Sequence, residues 1–110
     1  MRFQSDTKAI VLAVVAQGPT HGYAIAKAVR AQSDGALRLS EGQLYPVLYA
    51  LEAEGWVSAS WENDDPDSRR RVYSVTEAGL AELAERTQKW QAFVNGVARV
   101  LAPSKLQVER

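Results

Sequence analysis

The sequence predicts a mainly helical fold with one small β-hairpin, and three observations predict it. Between Ser40 and Gly55 apolar residues recur at helical spacing, from Val57 to Thr76 two short alternating segments flank a polar loop, and from Glu77 a heptad pattern runs almost to Pro103. The 110 residues include no cysteine and one histidine, and 13 Lys and Arg balance 13 Asp and Glu to a formal charge of zero. Disulfide frameworks, thiol nucleophiles and cysteine-ligated metals are thereby excluded, and His21 alone cannot build a multi-histidine site within one chain. The length suits one small domain with an appended helix, divided as residues 1–76, 77–103 and a frayed tail at 104–110.

The first helix is capped by Ser5 or Asp6 and runs to about Gln17, where Gly18 and Pro19 stop it. Ile10, Val11, Leu12, Val14 and Val15 cover nearly its whole circumference, so it must be buried on all sides. One flank can face the domain. The other is expected to be covered by a partner chain, which puts Ile10, Val11 and Val14 at an interface. The run is far shorter than the roughly 20 apolar residues that span a bilayer, and no basic-then-apolar leader precedes it, so a soluble, cytoplasmic protein is expected. Thr20 caps a second helix, with Ile25, Ala26 and Val29 inward and Lys27 and Arg30 outward, within reach of phosphates. His21 reads as a partly exposed residue of that helix start and not as a ligand, and Ala31 to Leu39 form the turn region that follows.

Ser40 caps the third helix with Glu41 in its first turn; Leu44, Val47, Leu48 and Leu51 form its buried stripe, and Gly55 ends it. Val57 to Trp61 alternates as a half-buried strand does, and the chain returns through Arg69 to Val75, with Arg71, Tyr73 and Val75 on one side and Val72 and Ser74 on the other. Helix, helix, helix and hairpin in this order describe a winged helix-turn-helix. The outward face of the third helix agrees: Gly42, Tyr45, Pro46, Tyr49 and Ala53 point away from the leucines, with Ser40 and Gln43 near the N-terminal end. A merely solvated face would carry Lys and Glu. Hydrogen-bonding aromatics, Gln and Ser at a helix N-terminus suit base edges in a major groove. The competing reading of this stretch is a small α+β domain whose exposed tyrosines are incidental.

Thr76 caps the final helix, where Leu80, Leu83, Thr87, Trp90, Val94, Val97 and Leu101 follow at alternating spacings of three and four. Roughly 26 residues make a rod of about 39 Å, more than the preceding domain can bury. The seam therefore calls for another long helix, and its copy in a second molecule is the candidate: a two-fold homodimer with Leu83, Thr87, Trp90, Val94, Val97 and Leu101 at its interface. The alternative is a helix folded back on its own domain.

Four stretches together resemble the PadR family of bacterial transcriptional regulators: Gly18-Pro-Thr-His-Gly-Tyr23, Gly42-Gln-Leu-Tyr-Pro-Val-Leu-Tyr-Ala-Leu-Glu-Ala-Glu-Gly-Trp-Val57, Arg69-Arg-Arg-Val-Tyr-Ser-Val-Thr76 and Glu77-Ala-Gly79. The likeness covers about residues 5 to 101 and is similar to the short subfamily with one C-terminal helix. It implies a homodimeric repressor that binds a pseudo-palindromic operator in double-stranded DNA and is released by a small molecule. By the same resemblance Ser40, Gln43, Tyr45, Pro46 and Tyr49 meet the major groove, Arg69 and Arg70 act on the wing, and Tyr23 and Lys27 touch the backbone. The wing departs from the family pattern, because Asp64-Asp-Pro-Asp67 stands where a glycine-rich tip is common. Trp90 matches the place at which multidrug-responsive members stack planar drugs between subunits, and Phe93 lies beside it, which implies a planar or aromatic effector there. The bland alternative is that Trp90 simply packs a dimer. No cofactor or metal is expected.

Two other functions remain in view. Zero net charge and an acidic wing favour a winged helix that docks a protein and not DNA. Catalysis is weak, since no nucleophile and base can be paired.

Overall fold

The computed structural model describes residues 6–62 and 70–102; Ser5, the wing tip with Arg69, and the tail at 104–110 lie outside the described residues. The elements follow as α1 (Thr7–Val15), α2 (Gly22–Gln32), α3 (Glu41–Ala53), β1 (Val57–Trp61), β2 (Arg71–Val75) and α4 (Glu77–Leu101). The expected order of three helices, a hairpin and a long helix is the order observed.

Asp6 caps α1, its Oδ1 accepting from the Ala9 amide at 3.0 Å. Val11, Leu12 and Val15 are wholly shielded, because α1 lies against α2, α3, α4 and β2 of its own chain. The expectation that one flank of α1 waits for a partner is thereby corrected. Val11 and Val14 are buried inside the single chain, and of the three residues assigned to an interface only Ile10 keeps partial exposure.

His21, and not Thr20, occupies the cap position of α2, and it makes no side-chain capping bond. Thr20 is extended and exchanges two backbone hydrogen bonds with Tyr73, its amide donating at 3.0 Å and the Tyr73 amide at 2.7 Å. One residue thus serves as a third strand on the outer edge of β2. A β-branched residue suits that extended bridge, and the bridge satisfies backbone groups that would otherwise be stranded beside the core.

At α3 the cap is reciprocal. The Ser40 hydroxyl accepts from the Gln43 amide at 3.2 Å, and the Ser40 amide donates to Gln43 Oε1 at 3.0 Å. Leu44, Leu48 and Leu51 are buried as the stripe requires. Gly55, at φ 79°, closes the helix: its amide reaches the Glu52 carbonyl and the Trp56 amide reaches Leu51, both at 3.0 Å. The strands β1 and β2 pair antiparallel, with Val57 opposite Val75 and Ala59 opposite Tyr73. Tyr73 sits at the centre of the core, and burial pushes its phenol above the ordinary tyrosine range against the opposing pull of Arg71.

The junction into α4 is tight. Thr76 Oγ1 accepts from the Gly79 amide at 3.0 Å and donates to the Gly55 carbonyl at 2.6 Å, so one side chain caps α4 and ties it to the end of α3. Gly79 is buried against the Trp56 carbonyl, and a β-carbon there would run into that oxygen. Leu83 packs on the core, so the start of α4 does fold back on its own domain. The remainder projects: the radius of gyration is 17.5 Å, where a compact chain of this length has about 13 Å.

Gly79→Ala gains up to about 1 kcal/mol of helix propensity. It is nonetheless expected to lose roughly 1–3 kcal/mol in urea unfolding, because the obstructing atom is backbone and cannot swing away. Tyr73 gives a pH signature of defined sign. Its folded pKa is raised, so the unfolded chain loses the proton first and stability falls as pH climbs through the ordinary tyrosine value near 10. Tyr73→Phe should show a shallower alkaline decline in denaturation midpoints from pH 8 to 11.

Candidate nucleic-acid interface

The outer face of α3 is partly as expected. Tyr49 is 59% exposed, Pro46 is exposed, and Ser40 and Gln43 lie at the exposed N-terminal end. Ser40 and Gln43 are nevertheless engaged with each other in the capping box, so any base contact they make uses the lone pairs and donors that remain. Tyr45 departs from the expected outward placement. It is half-buried and lies on the N-terminus of α2, where a β-carbon at Gly22 would collide with its hydroxyl and ring edge. Gly22 is therefore the residue that lets α2 and α3 meet this closely. Tyr45 and Tyr49 stand one turn apart with ring centroids 6.4 Å from each other.

On α2, Tyr23 is 70% exposed and Lys27 holds its ammonium 5.6 Å from the ring centroid, a cation–π contact that leaves both groups at the surface. Lys27 and Arg30 also flank a shallow groove completed by Ala31, Asp34 and Gly35. Past the N-terminus of α2 the surface continues onto the wing base. Arg70 Nη1 lies 3.2 Å from His21 Nε2, and Arg70 Nε lies 3.3 Å from the Glu62 carboxylate. The wing base, the α2 start and the α3 face thus form one run: Arg70, His21, Gly22 against Tyr45, then Tyr49.

Arg71 belongs to a different place. It turns inward, donating to Glu52 Oε2 at 2.9 Å while its guanidinium covers the Trp61 ring at 5.3 Å, and its Nε is buried without a hydrogen-bond partner. The alternation of β2 put Arg71 on the Tyr73 side, but the run Arg69 to Arg71 as a whole reads as the basic part of the wing, so the engagement of Arg71 with Glu52 corrects that expectation for this one residue. The Arg70 and His21 pairing was not signalled, because the two are 49 positions apart.

On α4, Trp90 and Phe93 bring their rings to 5.5 Å with a 33° tilt. An apolar groove of about 370 Å³ runs along the distal half of the helix, lined by Ala92, Phe93, Gly96, Val97, Val100 and Leu101. Phe93, and not Trp90, is among its described walls. Leu80, Thr87, Trp90, Val94 and Leu101 of the seam are exposed in the single chain, Leu101 by 71%, whereas Leu83 and Val97 are half-buried. Among the described residues no group of three or more His, Asp or Glu could hold a metal ion, and no helix is long and apolar enough to cross a membrane.

Comparison with known proteins agrees with this architecture. The pattern of the Transcriptional regulator PadR-like family matches residues 11–85. An uncharacterized 37.1 kDa protein in transposon TN4556 of Streptomyces fradiae is 38% identical over 92 residues; the match takes in 84% of this chain, and the chain spans 25% of that protein's length. Among solved structures, a PadR family transcriptional regulator from Eggerthella lenta superposes with a TM-score of 0.70 at 28% identity, covering 87% of this chain and 84% of the other. A transcriptional regulator from Clostridium thermocellum gives 0.77 at 22% identity, covering 86% and 91%, which shows likeness of fold. With the family pattern on two thirds of its length and four helices and a hairpin in the same arrangement, the chain belongs to the PadR-like family of transcriptional regulators.

Proposed function

We propose that two copies of this chain join along α4 and bind a pseudo-palindromic DNA site as a cytoplasmic repressor, released when a planar or aromatic small molecule enters near Trp90 and Phe93. The observation that carries the DNA reading is the continuous run from Arg70 through His21 and the α2 start to Tyr49, with Tyr23 and Lys27 beside it. It combines cations and amides for phosphates with exposed phenols for base edges, on a chain whose net charge is zero. Position, not abundance, supplies the positive field. Arg70 already has a carboxylate partner in Glu62, so binding exchanges that partner for a phosphate, and the wing's contribution is smaller than that of a free arginine. Half-sites about 34 Å apart, one helical turn, suit a two-fold dimer.

The dimer reading rests on α4. Trp90, Val94, Val100 and Leu101 expose apolar surface along a helix that its own domain leaves uncovered past the first turns. The effector reading rests on the Trp90 and Phe93 ring pair and the groove beside it, which offer broad π-faces without a fixed polar pattern.

Gel-shift titration against a duplex selected from random DNA, with unselected duplex as reference, tests the interface. Arg70→Ala should weaken both and reduce the salt slope by about one, whereas Tyr49→Ala should lose about 1–3 kcal/mol of discrimination between them. Equal losses on both duplexes for Tyr49→Ala would remove base reading, and a wild-type chain with no DNA affinity would favour protein docking. Val94→Glu puts a charge on the proposed seam without touching the domain core, so sedimentation at micromolar concentration should show a monomer with an unchanged far-UV spectrum.

A further inference from the structure

Most of the contacts that anchor α4 lie in its first turns. Thr76 caps it, Gly79 abuts Trp56 and Leu83 joins the core. Arg86 adds a link of another kind one turn further on. Its Nη1 donates to both carboxylate oxygens of Asp6, at 3.0 and 3.1 Å, and its Nε donates to Glu82 Oε2 at 2.7 Å. The guanidinium carbon also lies over the Trp56 ring, 5.3 Å from its centroid. One side chain therefore spans three pieces of the molecule: the cap of α1, the turn between α3 and β1, and the emerging rod. Burial works against the Arg86 charge, but the hydrogen bond to Glu82 and the charge of Asp6 outweigh it and hold the guanidinium more basic than usual.

Apolar packing alone does not fix an angle. Packing of a leucine such as Leu83 is non-directional, whereas a guanidinium that donates to two carboxylates at once and lies over an indole restricts its own placement much more narrowly. The lever is long: a swing of about 10° moves the end of a 25-residue helix by about 6 Å, close to two base-pair rises.

We propose that Arg86, clasped by Asp6, Glu82 and Trp56, is a positioning residue that sets the angle between the winged-helix head and the α4 rod, and through it the half-site spacing the protein accepts. The spacing consequence rests on the dimeric DNA-binding reading; the angle does not.

Two variants separate the clasp from folding. Arg86→Gln removes the charge and the fork. Asp6→Asn keeps an oxygen that can cap α1 but discards the ion pair, so its helix start is preserved. Because the chain has no cysteine, Ala53→Cys on the head and Arg99→Cys near the end of the rod give a unique pair of spin labels. Doubly labelled protein is diluted into excess unlabelled protein so that pulsed EPR reads the distance within one chain. Both variants should shift the mean or enlarge the width of that distance by at least about 3 Å, the movement a swing of about 5° gives such a rod. Distances unchanged in a folded variant overturn the clasp, whether or not the wild type binds DNA. On the selected duplex with one or two base pairs added at its centre, the wild type should lose at least tenfold in affinity and the variants distinctly less. A variant with a loosened angle and undiminished spacing discrimination overturns the positioning role.

Discussion

Everything in this fold leans on the complete burial of α1. A nine-residue helix apolar around nearly its whole circumference can be stable only when several elements surround it, and here α2, α3, β2 and α4 all do. That demand makes a small, neutral chain fold as one unit. The leucine stripe of α3, Ile25 and Val29 of α2, and Tyr73 of β2 are the surfaces it gathers. With α1 enclosed within a single chain, the distal part of α4 is left with an exposed aliphatic and aromatic stretch of Trp90, Val94, Val100 and Leu101, while the head exposes Tyr23, Leu37, Tyr49 and Trp61.

Around that non-directional core, a few directional contacts decide orientation. Thr20 and Tyr73 lock the start of α2 to the wing by paired backbone bonds. Arg71 with Glu52 ties the wing strand to α3, and Arg86, braced within α4 by Glu82, ties α4 through Asp6 to the start of α1. Partly exposed ion pairs of this sort contribute little to stability, since solvent screening and side-chain ordering offset most of the Coulomb gain. The value proposed for them is angular: if two heads of a dimer are to meet one rigid duplex, the angle between head and rod is the property that matters.

The candidate interface follows the same division. Tyr23, Lys27 and Tyr49 are exposed because the inward faces of α2 and α3 are taken by the core. Their companions are modified by neighbours: Tyr45 is drawn onto Gly22, Gln43 onto Ser40, and Arg70 onto His21 and Glu62. The free protein therefore presents a surface whose polar groups are already partly satisfied, which lowers the ordering cost of binding and also lowers the net gain from each contact.

By itself the sequence determined the elements, their order and the caps of α3 and α4, and it narrowed the cap of α1 to Ser5 or Asp6. Periodicity, Asp6, Ser40, Gly55 and Thr76 are local signals, and local hydrogen bonds within three or four residues are what such signals encode. It also placed Arg71 on the same side of its strand as Tyr73 and Val75, through the two-residue period of a strand, though not its pairing with Glu52. Tertiary structure decided what depends on partners distant in the chain. Thr20 became a strand partner of Tyr73 where a helix cap was expected, Tyr45 was pulled inward by the glycine at position 22, and Val11 and Val14 were enclosed by their own domain. Arg86 found Asp6 across 80 positions. No periodicity records such meetings, because they arise only when separately formed elements compete to cover the same apolar helix.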